Sequence, residues 1–104
     1  MGKRNVRRVE KRPEAENDLR EIWFYTFRRW GEKQADLYIR TLDAAMERLS
    51  EVPGLGVDYG HVRPSMRKQS VERHRIFYYV TDTAIDIIRV LHMSMDTDEH
   101  LGED

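Results

Sequence analysis

The 104-residue sequence contains no cysteine, which excludes disulfide bonds and thiolate metal sites. It has only three prolines and six glycines, and no repeat, linker or low-complexity segment divides it. With 39% hydrophobic and 36% charged residues, residues 1–104 are expected to form one globular domain. A domain of this size buries roughly two thirds of the surface that its unfolded chain exposes.

A long apolar run is also missing. The basic N-terminal segment, residues 2–12, is followed by no hydrophobic stretch, so it predicts neither a signal peptide nor a membrane anchor. The expected location is therefore the cytoplasm, without a membrane partner.

The net charge is only −1, but it is unevenly distributed. Residues 1–12 carry a net charge of +5, residues 13–62 carry −4, and residues 63–75 carry +4. From residue 93 onward there are five acidic residues and no lysine or arginine. Direct binding to nucleic acid is not expected, because it depends on many phosphate contacts. A local basic patch can still attract an acidic partner.

The spacing of the apolar residues predicts two helices. The first has a stripe at steps of three or four residues, made of Ala15, Leu19, Ile22, Thr26 and Trp30 and widened by Trp23 and Phe27. Pro13 suits its first turn and Gly31 its C-terminal end. A second helix is predicted over residues 32–51, antiparallel to the first. Trp23, Phe27 and Trp30 are expected to be core residues rather than anchors for a partner.

From residue 66 onward the apolar period changes to two, which predicts strands over residues 66–73, 75–81 and 84–92. Residues 5–11 are predicted to form a further short strand. The predicted order is β-α-α-β-β-β, an α+β fold in which a helical hairpin packs on an antiparallel sheet.

The last strand predicts a binding surface. Strict alternation places Ile85, Ile87, Arg89 and Leu91 on one face, and two helices can cover only the other face. Arg89, among apolar side chains, is expected to pair with a carboxylate of this chain or of a partner. A basic edge lies nearby, although such an edge can simply be solvated. The predicted partner-binding residues are Arg63, Arg67, Lys68, Arg75, Tyr78, Ile85, Ile87, Arg89 and Leu91.

Catalytic and metal-binding motifs are not evident. His92 is the candidate general acid or base, but no nucleophile or second carboxylate accompanies it at a meaningful spacing. The four histidines (His61, His74, His92 and His100) lack the spacing of metal ligands. Asp96, Asp98 and Glu99 are interpreted as a solvated tail. No metal and no cofactor is therefore predicted, and the protein is expected to act by binding rather than as an enzyme.

Four groups of residues support a family resemblance. They are Asp18-Leu19 with Trp23 and Tyr25, Trp30-Gly31 with Gln34-Ala35, residues 74–78, and residues 88–92 with Met95-Asp96 and His100-Leu101. Together they resemble the ParE branch of the RelE/ParE toxin superfamily from about Arg12 to Leu101, although the first strand is more basic than is usual there. The resemblance implies a type II toxin that acts on DNA gyrase. It also implies a ParD-like antitoxin that wraps around the toxin in a hetero-oligomer, a heterotetramer or larger.

Two alternatives stay open. One is a RelE-like, ribosome-dependent mRNA endonuclease, for which Arg67, Lys68, Arg75 and His92 are the candidate phosphate-binding and proton-transfer residues. The other is a toxin-like domain without activity that serves only in the assembly of a complex.

Overall fold

The structure is a computed structural model that describes residues 6–95 and Leu101. In this part of the chain, two α-helices pack on a five-stranded sheet. The elements are β1 (Arg8–Lys11), α1 (Pro13–Trp30), α2 (Glu32–Glu51), β2 (Val57–Asp58), β3 (Arg67–Val71), β4 (His74–Val80) and β5 (Ala84–His92), with a short 3-10 helix at Pro53–Leu55. The predicted fold is confirmed, and the two-residue strand β2 is an addition to it. Asp96, Asp98, Glu99 and His100 lie outside the described residues, as does Asn5, where the first strand was predicted to begin.

The helical hairpin begins and turns where the sequence predicts. Pro13 stands in the first turn of α1, followed by Glu14 and Glu16, whose charges complement the positive end of the helix dipole. Gly31 has a φ of 93°, a conformation that favours glycine. Its N–H donates to the carbonyl of Phe27, and its own carbonyl accepts from the N–H of Ala35, so one residue ends α1 and begins α2. No helix in the described part of the chain is long and apolar enough to span a membrane.

The strand order in the sheet is β1-β5-β4-β3-β2. The pairs β5–β4 and β4–β3 are antiparallel, as predicted, and the added strand β2 is antiparallel to β3, but β1 runs parallel to β5. The parallel pairing ends at Lys11, and the N–H of Arg12 makes the last bond to this edge by donating to the carbonyl of Ile87. Beyond this point α1 takes the place of β1 beside β5.

A bulge in β5 changes which side chains point to each face of the sheet. Phe77 pairs with Arg89 and Tyr78 pairs with Ile87, so Ile88 has no partner in β4. An extra residue of this kind interrupts the alternation of faces. Ile85 and Ile87 therefore pack in the core under the helices, whereas Leu91 packs in a second core on the opposite side.

The second core corrects the prediction of an exposed face. Tyr59 and Met66 lie against Phe77, Ile88 and Leu91, together with Leu101 and the partly buried Val62. The chain itself thus covers the side of the sheet that the helices leave open. Ile85, Ile87 and Leu91 are at most 1% exposed, and the prediction that they form an open apolar patch is wrong.

Candidate functional site

A groove of about 1100 Å³ lies between the tip of the helical hairpin and the end of the sheet where β4 begins and β5 ends. One wall is the C-terminal half of α1 with the start of α2. The other wall is formed by the β3–β4 turn and by residues 90–95. The lining combines aromatic side chains, notably Tyr25 and Trp30, with three polar aromatic groups, Tyr38, His74 and His92.

Tyr38 and His74 form a hydrogen-bonded pair at this groove. The Tyr38 hydroxyl lies 2.7 Å from Nδ1 of His74 and accepts a hydrogen bond from the backbone N–H of Arg73. The hydroxyl either donates its proton to His74 Nδ1 or accepts one from it, and the tautomer of the His74 ring decides between the two. Burial raises the pKa of Tyr38, so the hydroxyl keeps its proton.

The tautomer of His92 follows from a contact with the backbone. Its Nδ1 accepts the backbone N–H of Ser94 at 3.0 Å and lies 2.7 Å from the Ser94 hydroxyl. A backbone N–H can only donate, so in the neutral ring the proton of His92 is on Nε2. The rings of His74 and His92 meet edge to face, with centroids 5.1 Å apart. Their strands bring them together, because His74 pairs with His92 across β4 and β5.

His74 is held in its neutral form. Burial, reinforced by the neighbouring His92, lowers the pKa of His74 from 6.5 to about 4, against a smaller opposite effect of Asp18. At neutral pH this ring is therefore uncharged. The sequence indicated only His92 as a candidate, because the pairing of Tyr38 with His74 joins residues 36 positions apart.

The aromatic residues of α1 are more exposed than predicted. Trp30 continues the apolar stripe of the helix, but it is 56% exposed and lines the groove. Phe27 is also exposed and stacks on the half-buried Trp23, with ring centroids 5.1 Å apart. The prediction that these three residues are core is wrong. The stripe is buried as far as Thr26, and the hairpin extends past the part of the sheet that covers it.

Arg89 pairs with a carboxylate, as predicted, and the carboxylate is Asp18 of the same chain. The guanidinium donates to Asp18 through two nitrogens at 2.8 and 2.9 Å, which raises the pKa of Arg89. Asp18 also accepts the backbone N–H of Val90 at 2.9 Å, at the edge of β5 that β1 no longer covers. The carboxylate thus replaces a strand partner and stabilises one wall of the groove.

The predicted basic edge is largely engaged within the chain. Arg67 donates to the carbonyls of Gly54 and Gly56, and Arg63 donates to the carbonyl of Leu101. The ammonium of Lys68 lies 4.5 Å from the ring centre of Tyr59. Arg75 is half-buried, and its Nε atom has no hydrogen-bond partner among the described residues. Arg67 and Lys68 therefore help to hold the loop of residues 53–66 on the sheet, and Arg63 links this loop to Leu101.

Tyr78, another predicted contact residue, belongs to the core. It is fully buried, and its hydroxyl donates to the carbonyl of Pro53 and accepts the N–H of Gly56. The neighbouring Tyr79 is half-buried, with the guanidinium of Arg12 5.7 Å from its ring centre. Tyr78 thus contributes to any interface only by fixing the loop beside the sheet.

No group of three or more histidines or carboxylates that could hold a metal ion occurs within residues 6–95 and Leu101. The two groove histidines are also poorly arranged for a metal. A ring that binds a metal through Nε2 carries its proton on Nδ1, and Nδ1 of His92 already accepts a backbone N–H.

The comparisons with known proteins agree with one another. Residues 9–97 match the family model described as the ParE toxin of the type II toxin–antitoxin system parDE. Toxin ParE1 of Mycobacterium tuberculosis is 43% identical over 90 residues, which cover 86% of this chain and 92% of the relative. Toxin ParE1 of Caulobacter vibrioides is 42% identical over 88 residues, covering 85% and 91%. The chain belongs to the ParE toxin family.

More distant ParE proteins agree with this assignment. Toxin ParE of Escherichia coli is 34% identical over 92 residues, which cover 86% of this chain and 88% of the relative. A solved structure of the chromosomal ParDE system from P. aeruginosa superposes with a TM-score of 0.75 at 17% identity, over 86% of this chain and 99% of that one. This likeness supports the fold. The chain is thus a ParE toxin of a type II toxin–antitoxin system.

The residues proposed for a nuclease are not brought together in this ParE-family chain. Arg67 and Lys68 pair with Tyr78 and Phe77 in the sheet, whereas His92 pairs with His74. On β4, Phe77 and Tyr78 lie three to four residues from His74, which corresponds to roughly 10–13 Å along a strand. Arg75 follows His74 directly and so points to the other face of β4. Of the four candidates, only His92 lines the groove.

Proposed function

We propose that this ParE toxin inhibits DNA gyrase and is neutralised in the cytoplasm by a ParD-like antitoxin. The observation that carries the proposal is the match to the ParE family over residues 9–97. The charge distribution gives further support, because a net charge of −1 suits a protein target better than direct binding to nucleic acid.

The gyrase target is tested with purified components. The toxin should inhibit supercoiling of relaxed plasmid by gyrase and increase the fraction of cleaved, protein-linked DNA. Expression without antitoxin should cause filamentation and a DNA-damage response, because a trapped gyrase leaves broken DNA. Normal supercoiling at a large molar excess of folded toxin would refute this target.

The antitoxin is expected to form a permanent complex with the toxin, as a heterotetramer or larger. A permanent interface of this kind buries about 1000 Å² or more on each partner. Co-expression with the product of the neighbouring gene, followed by pull-down and light scattering, tests both the partner and the stoichiometry. A toxin that remains a stable monomer in the presence of this protein would contradict the expectation.

The groove supports one alternative activity. Tyr38, His74 and His92 place exchangeable protons side by side, which is a requirement of general acid–base cleavage of RNA. Under that alternative, mRNA in a translating extract is cut and cutting falls by roughly 100-fold in His92→Ala. Arg75→Ala should leave cutting in the groove largely unchanged, because Arg75 points to the other face of β4. Intact mRNA together with inhibited gyrase would exclude it.

The third possibility is a toxin-like domain that only assembles. It predicts normal growth, intact mRNA and active gyrase, but unchanged binding to the antitoxin. The three assays therefore give a different pattern of results for each function.

A further inference from the structure

Three aromatic rings form a cluster on the exposed side of the helical hairpin. The ring of Trp23 stacks on that of Phe27, with centroids 5.1 Å apart, and meets the ring of Phe24 edge to face at 5.3 Å. The indole N–H of Trp23 donates to the carboxylate of Asp36 in α2 at 2.8 Å, which fixes the orientation of the central ring. Trp23, Phe24 and Phe27, which we call the aromatic cluster, thus form one preorganised surface.

Much of the aromatic cluster is open to solvent. Phe24 is 53% exposed and Phe27 is 42% exposed, although both are large apolar side chains. Neither belongs to a core, because α1 packs in the first core through Ala15, Leu19 and Ile22. A contiguous exposed apolar surface on a folded domain is typical of a binding site.

Charges of both signs flank the aromatic cluster. Glu16, Arg20, Phe24 and Arg28 follow one another at steps of four residues, so they lie along one side of α1. The three charged side chains are exposed, and none of them takes part in an ion pair among the described residues. Their charges are therefore available to a partner.

The order of these residues is complementary to its own reverse. When two antiparallel copies of α1 meet at the level of Ile22, near the middle of the helix, each residue faces the one equally far on the other side of that level. Glu16 then faces Arg28 of the second copy, and Arg20 faces the ring of Phe24. The first contact is an ion pair and the second a cation–π contact. Two-fold symmetry makes each of them twice.

We propose that the toxin forms a homodimer through this side of α1, with the two helices antiparallel and their aromatic clusters packed against each other. The occupant is a second copy because the charges complement themselves, which an isologous contact requires. The interface is about one helix wide and therefore small, so we expect a weak dimer with a dissociation constant of roughly 10–100 µM. This inference does not depend on the proposed function, because it concerns the toxin alone.

The apolar contact is tested by sedimentation velocity of the purified toxin from about 1 to 500 µM. The wild type should pass from monomer to dimer over this range, and Phe24→Ala should raise the dissociation constant at least about tenfold. Tyr25→Ala is the matched control, because Tyr25 is 55% exposed but its ring lies beside Arg29, on another side of the helix. It should change the constant by less than about threefold. Circular dichroism of each variant establishes that it is folded.

The charge contacts are tested by reversal at low ionic strength. Glu16→Arg and Arg28→Glu each set like charges opposite one another twice and should each weaken the dimer at least about fivefold. The double variant restores opposite charges and should return to within about threefold of the wild type. Arg29→Glu is the control, since the Arg29 guanidinium lies over the rings of Tyr25 and Trp30, away from the proposed contact, and it should leave the dimer unchanged.

Three results would overturn the inference. The first is a toxin that stays monomeric at about 500 µM, which is well above the expected dissociation constant. The second is a dimer that Phe24→Ala leaves intact, or in which the double charge reversal is no tighter than the single ones. The third is a monomeric toxin whose folded Phe24→Ala variant loses antitoxin binding or gyrase inhibition, because this side of α1 would then belong to that partner.

Discussion

The ion pair between Asp18 and Arg89 gives the sharpest prediction for stability. The Asp18 side chain is only 7% exposed, and it accepts three hydrogen bonds, two from Arg89 and one from the N–H of Val90. In Asp18→Ala, both the guanidinium and the backbone N–H lose their acceptor. Breaking a buried pair on one side costs about 3–5 kcal/mol. Because the Arg89 side chain is 26% exposed and partly reached by water, we expect the lower limit, about 3 kcal/mol.

Urea denaturation measures this loss of unfolding free energy. The same loss should lower the midpoint of thermal unfolding by roughly 10–20 °C. Asp18→Asn keeps an oxygen for Val90 and should cost less. The double variant Asp18→Leu, Arg89→Met should be more stable than the sum of the two single losses predicts, by more than about 1 kcal/mol.

The pair of Arg12 and Asp86 is the matched control. It has the same two-bond geometry, at 3.1 and 2.7 Å, but the Arg12 side chain is 43% exposed. Arg12→Ala should therefore cost less than about 1 kcal/mol. An Asp18→Ala variant that is no less stable than Arg12→Ala would show that burial of the Asp18–Arg89 pair does not set its contribution to stability.

Three further predictions concern the groove and the loop. The unfolded chain binds a proton on His74 near pH 6.5 and the folded chain only near pH 4, so the unfolding free energy should fall as the pH is lowered through this interval. The half-buried ring of His74 should contribute about 1–2 kcal/mol to this fall. If the unfolding free energy of His74→Phe depended on pH as steeply as that of the wild type, the contribution of His74 would be refuted. Tyr78→Phe removes the hydroxyl that bridges Pro53 and Gly56 and should cost about 1–3 kcal/mol in urea, whereas a loss below about 0.5 kcal/mol would argue against the bridge. Gly56→Ala would place a methyl group 2.5 Å from the Lys68 carbonyl, so its midpoint of thermal unfolding should fall, and an unchanged midpoint would be evidence against this close approach.

Local patterns predicted the elements of this fold well. The apolar period together with Pro13 and Gly31 gave both helices with their observed bounds, and Ala84–His92 was predicted in full. The bounds of these helices and of this strand depend on residues that are close in the sequence, so the sequence alone predicts them. The need of Arg89 for a carboxylate was also predictable, because it follows from the cost of burying a charge.

The candidate site was harder to predict because it depends on register and on long-range packing. One unpaired residue, Ile88, moved Leu91 to a different core from Ile85 and Ile87, and the amino-acid pattern did not signal it. Trp30 follows the same period as the buried stripe, and only the length of the sheet leaves it exposed. The pairing of Tyr38 with His74 likewise exists only once the helices lie on the sheet.

The position of β5 has a consequence for the synthesis of the toxin. This strand lies between β1 and β4, although it is the last strand of the described chain, and its side chains enter both cores. A nascent chain that has not yet released residues 84–92 from the ribosome can complete neither core, and its first strand has no partner. Folding of this domain therefore waits until residues 84–92 have left the ribosome. A chain that terminates before residue 84 would lack the strand that both cores share.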